Sequence, residues 1–166
     1  MVLIVSEDRF PSVMWWALLL FVIAAFTDFL DGYLARRWSV TTVMGAFLDS
    51  TADKLLVTGA FLALIRVGRA SIWVALIIIV REFIVMALRG LAAIEGELVR
   101  PSIWGKLKAT VQFIAIGFAI IRLGEPIGPL YFDEYLMWLA AAITLLSGWD
   151  YVSRFWATAR RVDSTA

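Results

Sequence analysis

Residues 28–54 read DFLDGYLARRWSVTTVMGAFLDSTADK, and four aspartates lie in this stretch between long apolar runs. Asp28, Asp31, Gly32 and Ala35 are spaced i, i+3, i+4, i+7, so a helix puts them on one face. Gly45, Asp49 and Asp53 are spaced i, i+4, i+8 and share a face of the next helix. A short turn after Arg37 makes these two helices antiparallel neighbours, with the aspartate pairs at nearly the same depth. Four carboxylates facing one another in a low-dielectric site are either partly protonated or bridged by cations. Aspartate oxygens with no histidine or cysteine nearby suit hard Mg²⁺ or Mn²⁺. Two such ions, about 3.5–4 Å apart, form an arrangement that clamps a phosphoryl centre. Gly32, Ala35 and Gly45 remove side-chain bulk, which lets a flat or phosphate-bearing ligand approach the backbone. The competing readings are close helix packing for the small residues and satisfied interhelical polar contacts for the acids.

The rest of the chain supplies the setting. Of its 166 residues, 62% are hydrophobic and 17% charged; soluble domains have about 45–50% apolar and about 25% charged residues. A soluble domain of this size would have to expose much of that excess, so the chain reads as one integral membrane domain. His and Cys are absent. Disulfides, thiolate or imidazole zinc sites, cysteine nucleophiles and histidine bases are therefore excluded. The net charge of +1 carries no global signal for nucleic acid.

The longest uncharged run, Phe10–Thr27, has 18 residues, just the roughly 18 of a plain spanning helix. Joined across their few interior charges, the apolar runs predict an all-α, polytopic transmembrane bundle with spans at about 12–35, 41–65, 71–94, 105–122 and 130–156. Gly68, Gly96, Pro101, Gly124, Pro126, Gly128 and Pro129 mark the breaks. Met1–Val5 is apolar but too short to cross. Nine basic residues lie on one side (Arg36, Arg37, Arg89, Arg100, Lys106, Lys108, Arg154, Arg160 and Arg161) against four on the other (Arg9, Arg66, Arg69 and Arg122). That excess places the first group in the cytoplasm. Asp28, Asp31, Asp49, Asp53, Lys54, Arg81, Glu82 and Asp150 remain inside spans, where ionisable groups are functional candidates by default.

The aspartate stretch as a whole matches D-x-x-D-G-x-x-A-R, eight residues, G-x-x-x-D-x-x-x-D, with Asp28, Asp31, Gly32, Ala35, Arg36, Gly45, Asp49 and Asp53 filling every defining position. It resembles the signature of the CDP-alcohol phosphatidyltransferases. The resemblance implies a six-helix membrane enzyme with two divalent cations, Mg²⁺ or Mn²⁺. Its site would open to the cytoplasm and the nearby lipid of the cell membrane. Such an enzyme joins an alcohol to the phosphatidyl group of CDP-diacylglycerol, or moves a CDP-carried headgroup to a lipid, and releases CMP. On this reading Asp28, Asp31, Asp49 and Asp53 hold the metals. Gly32, Ala35, Arg36 and Gly45 meet the nucleotide and pyrophosphate, and Asp53 also serves as the catalytic base.

Beyond the signature, GAFLDSTADKLL at 45–56, REFIVMALRG at 81–90 and GKLKATVQ at 105–112 are similar to members whose acceptor is glycerol 3-phosphate. The likeness covers most of residues 22–122; the last span matches in character only. A phosphate dianion needs basic partners, and Arg81, Arg89, Lys106 and Lys108 are the candidates. The alternative roles are interfacial anchors for Lys106 and Lys108, and for Arg81 an ion pair with Glu82 or Asp150. Family members usually begin with a spanning helix carrying P-N-x-x-T-x-x-R, and no such pattern precedes Asp28. Met1–Val5 and Ser6–Arg9 read like the tail of that helix and its external loop, so the expectation is five spans of a six-helix fold. Competing functions are a sister enzyme making cardiolipin or phosphatidylinositol phosphate, an ion or metal transporter, and an inactive truncated subunit. Membrane lipids are expected partners, and an apolar face would suit a homodimer.

Overall fold

A helix whose outer surface meets lipid gains nothing by hiding its leucines, because lipid tails are as apolar as they are. Close packing instead favours small residues inside, where backbones can approach. The computed structural model, which describes residues 1–5, 13–37, 43–94 and 103–163, follows this rule. Its elements are a four-residue turn of helix α1 (Val2–Val5), then α2 (Val13–Arg37), α3 (Val43–Arg66), α4 (Ile72–Ile94), α5 (Ile103–Ile121) and α6 (Phe132–Asp163). Among the described residues there is no strand, only an isolated bridge between Ile127 and Leu130. Ala60, Ala63, Ala75, Ala115, Ala119, Ala140 and Ala141 are buried, together with Phe61, Leu64, Ile78, Ile116 and Met137. Trp15, Leu19, Leu20, Phe26, Trp73, Leu76, Phe83, Leu139, Leu145, Leu146 and Trp149 are exposed. So broad a belt of large apolar side chains belongs in lipid. The chain is an all-α helical membrane bundle.

Ile103–Ile121 and Phe132–Trp156 are long and apolar enough to cross a membrane on length and composition alone. α3 and α4 are of similar length but carry interior charges, Asp49, Asp53 and Lys54 in one and Arg81, Glu82 and Arg89 in the other. α6 packs along α5 and α4, α5 along α2, and α3 touches α2, α4 and α5. α1 packs on α2 and α3, with Ile4 buried and Met1 against Gly59. α6 continues past residue 156 to Asp163, because helix hydrogen bonding does not stop where the apolar sequence does.

Helix ends follow local chemistry. Gly68 (φ 69°) closes α3 in a Schellman motif, with Gly68 N–H donating to Ile65 O (3.0 Å) and Arg69 N–H to Leu64 O (2.8 Å). Ser71 Oγ accepts from Trp73 N–H (3.3 Å) at the start of α4. Glu134 accepts from Tyr131 N–H (2.8 Å), half of a capping box opening α6. α5 ends on Arg122, a non-glycine residue at φ 39°, whose N–H donates to Phe118 O (2.8 Å).

The left-handed conformation costs Arg122 about 1–2 kcal/mol, and its side chain makes contacts that offset this. It pairs with Asp133 and Glu134, each at 3.2 Å, and its guanidinium lies 4.3 Å from the Tyr131 ring centre. Arg69 donates beside it to Ala119 O (3.3 Å) and Ile120 O, satisfying the last carbonyls of α5. Burial, and then the Arg122 charge, lower the pKa of Arg69, while Asp133 pulls it back up. Asp133 is only 2% exposed. Arg122→Ala is therefore expected to lower stability by about 3–5 kcal/mol, because it strands a buried carboxylate. Arg122→Gly relaxes the backbone but strands the same group, so thermal unfolding in detergent should show both variants melting earlier. Unchanged melting in both would mean that the pair contributes nothing.

Candidate active site

An arginine or lysine buried in an apolar bundle must find a counter-charge, and the bundle provides one carboxylate for two cations. Glu82 on α4 accepts through Oε1 from Lys108 Nζ on α5 and from Arg81 Nη1 at 3.2 Å. The three side chains are between 9% and 13% exposed. Arg81 also reaches α6, where Nη2 donates to Ser147 Oγ at 2.7 Å. It passes over Gly148, where an added Cβ would meet Arg81 Cγ at 3.0 Å. That glycine leaves room for the arginine stem. Arg81 Nε is buried without a partner.

The ion-pair cluster borders a small cavity between α3, α4 and α5, about 20 Å³ in volume, room for roughly one water. Asp53 and Lys54 line it from α3, Glu82 from α4, and Lys108 and Gln112 from α5, with Ile78 and Phe113 supplying apolar wall. The cavity thus brings together the half-buried carboxylate of Asp53, the buried Lys108 held by Glu82, and the buried amide of Gln112. Cations of this kind are suited to charge-assisted hydrogen bonds with phosphate oxygens, and a carboxylate of this kind to accepting a proton.

Of the residues singled out by spacing, Asp53 and Lys108 line this cavity, and Arg81 joins it through Glu82. Arg89 is exposed one end further along α4, with its guanidinium 6.0 Å from the Tyr151 ring centre. Asp31 and Gly45 are exposed on α2 and α3. Asp28, Gly32, Ala35, Arg36, Asp49 and Lys106 lie on described helix backbone, but their side chains fall outside the described residues. Asp150 pairs with Arg154 one turn on (2.9 Å) and not with Arg81.

Ser147, Gly148 and Gln112 were not singled out by spacing. Thr144, Ser147, Gly148 and Tyr151 lie at i, i+3, i+4, i+7 on α6, a small and polar face that the sequence does show. Gln112 follows Lys108 by one turn within GKLKATVQ.

Lys108→Met is expected to destabilise the protein by about 3 kcal/mol, the low end for a broken buried pair because Arg81 still faces Glu82. Glu82→Gln should cost more, because it leaves both Lys108 and Arg81 without their counter-charge, and thermal unfolding in detergent ranks the two variants. A Glu82 variant that melts no earlier than the Lys108 variant would show that Arg81 does not depend on this carboxylate.

The family model for CDP-alcohol phosphatidyltransferases matches residues 1–146, and the chain belongs to that family. The family is in general dependent on divalent cations and bound to membranes. Over 153 residues the chain is 37% identical to the CDP-diacylglycerol–glycerol-3-phosphate 3-phosphatidyltransferase of Bacillus subtilis, covering 92% of this chain and 79% of that one. It is 41% identical over 142 residues to the Haemophilus influenzae protein of the same name, covering 81% and 74%. It is 40% identical over 140 residues to a probable phosphatidylglycerophosphate synthase of Mycobacterium tuberculosis, covering 84% of this chain and 64% of that one.

Proposed function

We infer that the chain transfers the phosphatidyl group of CDP-diacylglycerol to glycerol 3-phosphate, giving phosphatidylglycerophosphate and CMP in phospholipid synthesis. The observation that carries this reading is the complete aspartate signature, with Asp53 lining the same cavity as the buried cation Lys108.

Asp28, Asp31, Asp49 and Asp53 form an all-oxygen donor set, with no imidazole or thiolate in the chain, and that set fits two hard cations such as Mg²⁺ or Mn²⁺. Among the described residues no three carboxylates gather, the side chains of Asp28 and Asp49 being outside them. When bound, such ions supply positive charge to the pyrophosphate and to the leaving CMP. Arg36 adds a charge-assisted hydrogen bond to a phosphate, and Gly32, Ala35 and Gly45 leave room for the nucleotide. Lys108 and Arg81 hold the acceptor phosphate, with Arg89 and Lys106 as outer cations on the same half. Asp53 accepts the proton of the acceptor hydroxyl as its oxygen attacks the β-phosphorus. The new phosphorus–oxygen bond forms as the bond to the α-phosphate oxygen breaks, and CMP leaves with that oxygen. Positioning and charge stabilisation carry most of the rate.

The excess of basic residues, nine against four, supports a site on the cytoplasmic side of the cell membrane. The exposed apolar surfaces would be in contact with membrane lipid and with a second copy of the chain. The test is radiolabelled CDP-diacylglycerol turnover in purified membranes with glycerol 3-phosphate, inositol phosphate or phosphatidylglycerol as acceptor. Phosphatidylglycerophosphate formed from the first alone is the expected result. Product from either of the others instead would assign the chain to a sister activity.

Arg81→Ala should raise the acceptor KM with a smaller change in kcat, because phosphate contact is made in ground and transition states alike. Unchanged acceptor kinetics would return Arg81 to a purely structural pairing with Glu82 and Ser147.

A further inference from the structure

Gln112 is 2% exposed, and its Nε2 is a buried donor with no partner. An unpaired amide in an apolar bundle is costly to keep. It sits on the wall of the cavity that Asp53 and Lys108 line, one helical turn from Lys108 on the same face of α5. The other neutral polar side chain on that wall is Thr58, which has no orphaned buried atom among the described residues. The wall beside it is apolar, with Val57, Ile78 and Phe113.

We propose that Gln112 determines acceptor specificity by donating its side-chain amide hydrogen to the middle hydroxyl of a three-carbon phosphorylated polyol. This rests on the function inferred above and extends it to the choice of acceptor. Lys108 and Arg81 take the phosphate at one end, and Asp53 takes the proton of the reacting hydroxyl at the other. The middle carbon then lies against the wall that carries Gln112. The cavity as it stands has room for about one water, so the acceptor makes its room by displacing Lys108 from Glu82. The phosphate dianion then replaces the Glu82 carboxylate as counter-charge to Lys108.

The experiment compares glycerol 3-phosphate with 3-hydroxypropyl phosphate, which keeps the phosphate and the reacting hydroxyl but lacks the middle one. With CDP-diacylglycerol and the wild-type protein, kcat/KM should favour glycerol 3-phosphate by about 10–10²-fold, the range for one buried hydrogen bond to a neutral group. In Gln112→Leu the preference should collapse to near one. A merely structural role would lower both acceptors together and leave their ratio unchanged, and that result overturns the proposal. So does a wild-type protein that uses both acceptors equally, which needs no variant to fold. If the wild type turned over neither acceptor, the inferred function itself would be wrong and this inference would fall with it. Turnover without discrimination overturns this inference alone.

Discussion

Asp53→Asn is expected to lower kcat by about 10²–10⁴-fold, the range for a lost general base, while CDP-diacylglycerol binding weakens far less. The asparagine keeps the size and one acceptor oxygen but takes no proton. Asp53 lines the cavity with Lys108, one helical turn from Asp49 in the α3 sequence, and on the function inferred above it stands at the acceptor end of the site. The measurement pairs kcat with equilibrium binding of CDP-diacylglycerol in the same variant. A proportionate loss of both would make Asp53 chiefly a metal ligand and move the base elsewhere.

Asp49→Asn should abolish turnover and metal-dependent nucleotide binding together. Charge stabilisation by a bound divalent ion is worth several kcal/mol in a phosphoryl transition state, and about 4 kcal/mol is on the order of 10³-fold in rate. The coupled loss distinguishes Asp49 from Asp53, whose replacement is expected to separate rate from binding. Titrating Mg²⁺ into the Asp49 variant, with CMP release and CDP-diacylglycerol binding as paired readouts, checks this. Near-normal rates at ordinary Mg²⁺ would end the two-metal reading.

Much of the architecture was legible in the residue order. Charges separate the apolar runs, and each long helix lies over one of the expected ranges, with α3 ending at Arg66 and α4 starting at Ile72 around Gly68. The end of α6 was not legible in the same way. The expectation of residue 156 followed the apolar run, whereas the helix continues through the polar residues to Asp163 because its backbone pairing is local. The aspartate register was equally plain, since spacing along one helix fixes which residues share a face.

The partners of the buried cations were not. Spacing left Arg81 with Glu82 or Asp150 as a counter-ion and offered Arg81 and Lys108 alike to a phosphate. In the fold Asp150 is held by Arg154, while Glu82 serves both Arg81 and a lysine 26 residues away. Ser147, 66 residues from Arg81, completes the arginine's contacts. The orphaned amide of Gln112 is likewise invisible in one dimension, because lacking a partner is a property of everything packed around it. Helix existence, membrane character and the faces of the aspartates follow from periodicity and composition, which are local. Which charge neutralises which, and which donor is left waiting, depends on how α4, α5 and α6 pack, and burial makes those choices costly to get wrong.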